Sequence, residues 1–144
     1  TLVTLGVVED RSAAFAHILT GRSKYYVPHF APDPAEAVAL IRAAGGVPVL
    51  AHPFSHVTGR VVADSTVEAM VEAGLMGIEV DHRDHDDAAR ALAADLAAEL
   101  DLIPTGSSDY HGTGKHNLLG ENTTSPESLA RIEAAATSKI TVLR

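Results

Sequence analysis

The stretch GGVPVLAHP, residues 45–53, contains the end of one helix, a short buried strand and a polar turn. Its two glycines follow a predicted helix that begins at the cap residue Asp33, and glycine after the last turn commonly ends a helix. Residues 47–51, VPVLA, form an apolar run without alternation, which is typical of a strand buried on both faces. Because His52 follows this run, the stretch predicts a parallel strand with a histidine at its carboxyl end.

The same alternation of capped helix and apolar run recurs along the chain. Leu92, Leu96 and Leu100 are spaced at i, i+4 and i+8, so they predict the apolar face of one helix. The predicted helices cover 12–19, 34–44, 65–73, a stretch from Asp86 or Asp87 to 100, and 126–136, and the predicted strands cover 47–51, 77–80, 102–105 and 140–143. This order predicts right-handed parallel βαβ units, as in an open sheet or part of a (β/α) barrel.

Composition excludes several classes of protein. The 144 residues, 46% hydrophobic and 21% charged, fit a globular domain and not a disordered chain. The absence of cysteine excludes disulfide scaffolds, thiolate zinc sites and cysteine nucleophiles. A net charge of −8 argues against a general duplex-binding surface, since such surfaces contact phosphates through Lys and Arg.

The location expected from the sequence is the cytoplasm. No run reaches the ~18 apolar residues of a membrane span, so no membrane contact is expected. The start, TLVTLGVVED, lacks the basic region and long apolar run of a signal peptide. Position 1 is Thr and not Met, so we expect the chain to be a piece of a longer protein.

Histidine or aspartate follows each of the first three predicted strands. His52 follows the first, His82 the second, and the loop GSSDYH with Asp109 and His111 follows the third. Parallel α/β folds place their active sites at this edge of the sheet. Imidazoles and carboxylates without thiolates suit zinc, manganese or iron, and Asp109 and His111, two residues apart, point to one side of an extended segment. A metal there would lower the pKa of bound water to ~7.

Each of these residues also has a structural interpretation. His52 before proline can be a turn residue, Asp109 can cap a helix or form an Asx turn, and His111 can lie in a solvated turn. His82 and His85, within DHRDHDD, can belong to a solvated loop before an acidic helix start. Arg60, Lys115 and the glycine-rich loop 112–114 can bind phosphate or form ordinary surface.

Taken together, GGVPVLAHP, GIEVDHRDHD and TGSSDYHG resemble the PHP (polymerase and histidinol phosphatase) family of metal-dependent phosphoesterases. They are most similar to the branch that acts on nucleoside 3′,5′-bisphosphates and short oligonucleotides. The segment from VVEDRSAAFAHIL to YYVPHF resembles the helical insertion of that branch. The resemblance implies an α/β fold, the C-terminal portion of a distorted (β/α)7 PHP barrel with parallel strands. Residues 1–31 would end the insertion and connector, and residues 32–144 would form the C-terminal half of the barrel.

The resemblance also implies roles for individual residues. His52, Asp109 and His111 would be metal ligands, with Asp109 and His111 in the catalytic centre, and His82 would lie near the substrate phosphate. Two or three divalent ions, Mn²⁺, Zn²⁺ or Fe²⁺, would bind the complete enzyme. The family's opening H-x-H motif has no counterpart before His52. The chain is therefore expected to be an inactive fragment that needs the missing N-terminal half, with open barrel edges that can self-associate.

The expected activity of the parent protein is metal-dependent hydrolysis of phosphate esters, on nucleoside 3′,5′-bisphosphates or oligonucleotide ends. Two alternatives stay open at this point. One is a non-catalytic nucleotide-binding or regulatory module, and the other is a metal-dependent hydrolase of the amidohydrolase type. No lysine stands at a strand end, where some amidohydrolases have a carboxylated bridging lysine, and this favours phosphate.

Overall fold

A computed structural model describes residues 1–28, 30–55, 62–138 and 140. The chain forms two compact units, Thr1–Ala31 and Pro32–Arg144. In the first, α1 (Arg11–Ala13) continues into a π-helical turn, Ala14–Ile18, so the predicted helix over 12–19 is confirmed within one residue. Asp10 is its cap, because its Oδ1 accepts the Ala13 N–H at 2.8 Å.

Within the described residues, the second unit is built on a three-stranded parallel sheet of order β1-β2-β3. The strands are β1 (Val49–Leu50), β2 (Gly77–Asp81) and β3 (Ile103–Gly106). The predicted parallel pairing is confirmed, with Ile78 opposite Leu50 on one side and Pro104 on the other. A register shift between Glu79 and Asp81 bends the end of the β2–β3 pair, where the loops of the site begin.

The described residues of this unit form four helices: α2 (Pro34–Ala43), α3 (Asp64–Glu72), α4 (Asp87–Glu99) and α5 (Pro126–Ala135). Three of them begin after a capping side chain, whereas α3 follows Ala63, which has no side-chain cap bond. Asp33, Asp86 and Ser125 each accept backbone N–H groups of the first turn that follows them. The choice between Asp86 and Asp87 is thus settled, since Asp86 is the cap and Asp87 the first helical residue.

The apolar core combines residues of the helices, the sheet and the loops between them. Its buried residues are Val38, Phe54, Met70, Leu75, Ile78, Ala89, Ala93, Ala97 and Leu102. The leucine face predicted for α4 is wrong in part. The row Ala89, Ala93 and Ala97 is buried, whereas Leu92 is 47% exposed and Leu96 and Leu100 are only partly buried. Small alanine side chains let the helix axis approach the sheet closely, so the leucines lie at the margin.

Two predictions fall on residues outside the described part of the chain. These are most of the final strand over 140–143 and the candidate phosphate ligand Arg60. Within the described ranges, no helix is both long enough and apolar enough to cross a membrane.

Candidate functional site

The loops after β1, β2 and β3 border one cleft of about 440 Å³ at the carboxyl edge of the sheet. His52 comes from the first loop, His82 from the second, and Asp109 and Lys115 from the third. The structure therefore brings three of the four site residues taken from the sequence to the same cleft. The fourth, His111, does not line it.

His82 is the most deeply buried side chain of the cleft, with 1% of its surface exposed. Its Nδ1 accepts the N–H of Asp84 at 3.1 Å, so in the neutral imidazole the proton resides on Nε2. Nε2 has no hydrogen-bond partner among the described residues and lies 3.8 Å from Oδ2 of Asp109. A buried N–H donor is thus directed at the cleft and lacks an acceptor, which is costly unless a ligand supplies one.

His52 leaves β1 in an uncommon backbone conformation. Its φ is 32°, in the left-handed region that non-glycine residues seldom adopt. Its backbone N–H donates to Oε2 of Glu79 at 2.6 Å, and its ring centroid lies 5.0 Å from that of His82. The sequence reasoning missed Glu79, although a carboxylate inside the apolar run GIEV was a signal that could have identified it.

Asp109 is also held in the left-handed region, with φ at 46°. Ser107 Oγ accepts its N–H at 3.1 Å, and the Asn117 amide donates to the Ser108 and Asp109 carbonyls at 2.8 and 3.3 Å. The Lys115 ammonium contacts Oδ2. This hydrogen bond is the main cause of a lowered pKa of the Asp109 carboxyl, which therefore stays ionised at neutral pH.

His111 is oriented by the turn that contains it. Its Nδ1 lies 2.6 Å from the Asp109 carbonyl oxygen and 3.4 Å from Oδ1 of Asp109, and its side chain is 45% exposed. A carbonyl oxygen can only accept, so in the neutral imidazole Nδ1 carries the proton and Nε2 keeps its lone pair. That tautomer is the one a metal-binding imidazole adopts when its other nitrogen donates to a backbone carbonyl.

Two further residues near the cleft have structural contacts. His85 is buried, its Nδ1 lies 2.9 Å from the Val80 carbonyl oxygen, and its Nε2 accepts the Phe54 N–H at 3.4 Å. Both ring nitrogens are thereby used by backbone groups. Arg83 donates to the His116 carbonyl at 2.6 Å and to the Glu121 carboxylate at 3.4 Å, so it links the loops after β2 and β3.

The donor types around the cleft fit a divalent metal ion. Imidazole nitrogen and carboxylate oxygen are ligands for zinc, manganese and iron, and Asp109 is ionised. Among the described residues, no three His, Asp or Glu side chains converge into a group that could enclose a metal. The described part of the chain therefore presents suitable donors as an incomplete set.

No protein-family model matches the chain, but three curated proteins do. A phosphoribosyl 1,2-cyclic phosphate 1,2-diphosphodiesterase from Eggerthella lenta is 42% identical over 80 residues, 56% of this chain and 29% of the relative. A 3′,5′-nucleoside bisphosphate phosphatase from Chromobacterium violaceum is 35% identical over 117 residues, 79% of this chain and 40% of the relative. A 5′-3′ exoribonuclease from Haemophilus influenzae is 32% identical over 123 residues, 84% of this chain and 44% of the relative.

The resemblance to phosphoesterases is confirmed. The chain spans less than half the length of each of these relatives. A solved structure from Bifidobacterium adolescentis, assigned as a metal-dependent phosphoesterase, superposes with a TM-score of 0.83 at 40% identity, over 96% of this chain and 49% of that one. The structure of an amidohydrolase from Chromobacterium violaceum, with bound sulfate and no metal, superposes with a TM-score of 0.62 at 29% identity. This match covers 93% of this chain and 48% of the amidohydrolase chain. The predicted fold class, parallel α/β as in part of a PHP-type barrel, is confirmed by these matches.

Proposed function

We propose that the protein containing this chain hydrolyses phosphate esters of nucleotides with the help of divalent metal ions. The observation that carries the proposal is the cleft at the carboxyl edge of the sheet, where His52, the Nε2 of His82 and the ionised Asp109 meet. The relatives support it, because a bisphosphate phosphatase, a cyclic phosphate diphosphodiesterase and an exoribonuclease all break a phosphate ester bond. The substrate class we propose is a nucleoside 3′,5′-bisphosphate or the end of a short oligonucleotide.

His52, Asp109 and His111 are the residues that would hold metal in this half of the protein. Their donor atoms are available for that role, since Asp109 is ionised and the Nε2 of His111 keeps a lone pair. When bound, a divalent ion supplies a hydroxide at neutral pH and neutralises charge on the phosphate. Mn²⁺, Zn²⁺ and Fe²⁺ all accept donors of these types, and two or three ions in the complete enzyme are part of the proposal.

His82 would bind the substrate phosphate. Its Nε2–H is buried, faces the cleft and needs an acceptor, and a phosphate oxygen is a strong one. The bond from the Asp84 N–H to Nδ1 keeps the imidazole turned in this direction. Lys115, in the same cleft, would add positive charge near the anion when metal occupies the carboxylate that it now contacts.

The chain by itself would be inactive. The missing N-terminal half would contribute the H-x-H ligands and close the barrel, and residues 1–31 would belong to its helical insertion. In the part of the chain that the structure describes, β1 and β3 are the outer strands of the sheet; until the barrel is closed they can pair with another copy, so we propose weak self-association of the isolated chain. A cytoplasmic location, where nucleotides are abundant, belongs to the same proposal.

Phosphate release tests this function directly. The full-length protein is incubated with adenosine 3′,5′-bisphosphate and Mn²⁺, and inorganic phosphate is measured for the parent sequence, for Asp109→Asn and for the matched surface control Glu72→Gln. We expect turnover in the parent and the control and a loss of at least 100-fold in Asp109→Asn. Unchanged turnover in Asp109→Asn would contradict the assignment of Asp109 to the catalytic centre.

Tight nucleotide binding by chelator-treated protein, without phosphate release in any condition, would instead establish the non-catalytic binding module. The similarity to an amidohydrolase structure keeps a second hydrolytic chemistry in view. Release of product from an amide substrate, with none from the bisphosphate, would favour it.

A further inference from the structure

Glu79 is a buried carboxylate in the central strand of the sheet. It lies in β2 opposite Thr105 of β3, and only 5% of its surface is exposed. The ion pairs of the described residues do not include Glu79. A carboxyl group buried in such a place is costly unless hydrogen bonds replace its water, so its presence there calls for a reason other than core packing.

The contact of Glu79 with the site is a hydrogen bond to backbone. Its Oε2 accepts the His52 N–H at 2.6 Å, across 27 residues of sequence. That distance is at the short end for an N–H bonded to a carboxylate. The same residue has a φ of 32°, and a left-handed non-glycine residue persists only where its surroundings hold it.

The backbone conformation of His52 determines the direction of its side chain. If His52 kept the extended backbone of β1, its side chain would follow the alternation of the strand. The left-handed turn instead directs the imidazole toward the ring of His82, with the centroids 5.0 Å apart. The acceptor on Glu79 stabilises this turn, since it satisfies an N–H that has left the sheet.

We propose that Glu79 is a positioning residue, whose buried carboxylate fixes the His52 backbone so that the imidazole can bind metal at the cleft. This inference rests on the proposed function for the identity of the ligand, but the hydrogen bond and its effect on His52 can be measured without metal. The side chain acts through His52, and an uncharged acceptor of the same length should replace it.

Two substitutions separate positioning from packing. Glu79→Gln keeps an oxygen that can accept the N–H, whereas Glu79→Met keeps the length and volume but removes the acceptor. Because Glu79→Met leaves the His52 N–H without its acceptor, we expect this variant to fold with a lower urea midpoint than the parent, whereas Glu79→Gln should keep most of the parent's stability. Glu72→Met, on the exposed side of α3, is the matched control.

The first readout is the ¹H and ¹⁵N resonance of the His52 amide in the metal-free 144-residue chain. We expect a strongly downfield proton with slow exchange in the parent, retention of much of the shift in Glu79→Gln, and its loss in Glu79→Met. The second readout is Mn²⁺ binding, followed by electron paramagnetic resonance. We expect affinity within about threefold of the parent for Glu79→Gln and a loss of about 10- to 100-fold for Glu79→Met.

Three results would overturn the proposal. One is a Glu79→Met chain with the His52 amide and Mn²⁺ affinity of the parent. Another is equal loss of affinity in both variants with the amide retained in Glu79→Gln, because the carboxylate would then be a ligand itself. The third is an upfield, rapidly exchanging amide in the parent. If the parent chain binds no Mn²⁺, the proposed metal centre loses support while the amide still decides the role of Glu79.

Discussion

Replacement of Gly106 by alanine should destabilise the second unit and distort the site. Gly106 ends β3, directly before the loop that contains Asp109. A Cβ added there would lie 2.6 Å from the Thr123 carbonyl oxygen and 2.9 Å from the Asp81 Cβ. Ordinary van der Waals contacts between such atoms begin at ~3.5 Å, so the backbone around Thr123 must move away by roughly 1 Å.

That segment cannot retreat without breaking other bonds. Thr124 Oγ1 accepts the Gly106 N–H at 3.1 Å and donates to the Gly106 carbonyl at 2.9 Å. Ser108 Oγ donates to the Asn122 carbonyl at 3.0 Å. Overpacking against a held backbone costs about 1–3 kcal/mol, so we expect the free energy of unfolding to fall by that amount.

The assay is urea unfolding followed by circular dichroism at 222 nm. With a slope of roughly 2 kcal/mol/M, the expected loss lowers the urea midpoint of Gly106→Ala by about 0.5–1.5 M. Gly21→Ala is the control, because a Cβ at Gly21 meets no atom within 4 Å and its backbone is not left-handed. The control should change stability by less than about 1 kcal/mol. A Gly106→Ala midpoint within about 0.2 M of the parent would refute the reasoning, since the 122–124 backbone would then yield at no cost.

Three other substitutions test separate parts of the structure. In the full-length protein, His82→Asn keeps an acceptor for the Asp84 N–H and removes the Nε2 donor, so folding should stay intact. Because a charge-assisted bond to the substrate is lost, we expect KM for the bisphosphate to rise about 10- to 100-fold. An unchanged KM would contradict the proposed contact between His82 and the phosphate. In the metal-free chain, Lys115→Met should raise the pKa of Asp109 toward 3.8, seen in the ¹³C shift of its carboxyl during a pH titration. Because the pKa of Asp109 is lowered in the folded state, the Lys115–Asp109 pair stabilises the fold at pH above about 4, and this contribution disappears as the pH falls. The free energy of unfolding should therefore fall more on acidification in the parent than in Lys115→Met. Ile78→Ala, at a position with no exposed surface, should cost about 2–5 kcal/mol in urea unfolding, and a loss below about 1 kcal/mol would show that the core collapses around the gap.

Much of the second unit could be predicted from local patterns. Asp33, Asp86 and Ser125 are helix caps because the oxygen that satisfies the first-turn N–H groups belongs to the residue that precedes them, a relation confined to three or four residues. Apolar runs of strand length that alternate with such helices predicted the parallel sheet, because each run and each helix is itself a local pattern. The order of helices and strands predicted that the polar residues after each strand lie at one edge of the sheet. In the structure, His52, His82 and Asp109 border one cleft at that edge.

Other features depended on contacts between distant segments. The row of alanines, not leucines, faces the sheet in α4, because the depth at which a helix packs depends on the surface that receives it. The direction of the His111 ring, in contrast, is set locally by one carbonyl oxygen of its own turn, a contact that residue spacing alone does not reveal.

The sequence by itself determined where helices begin, where strands run and which reactive residues leave the sheet, since these depend on periodicity and capping over a few residues. Only the tertiary structure decided how those residues are presented. The left-handed turn at His52 and its bond to Glu79 depend on strand register, which places groups 27 residues apart within 2.6 Å. Hydrogen bonds of this kind have no period in the sequence, because the partners become neighbours only when the strands pair.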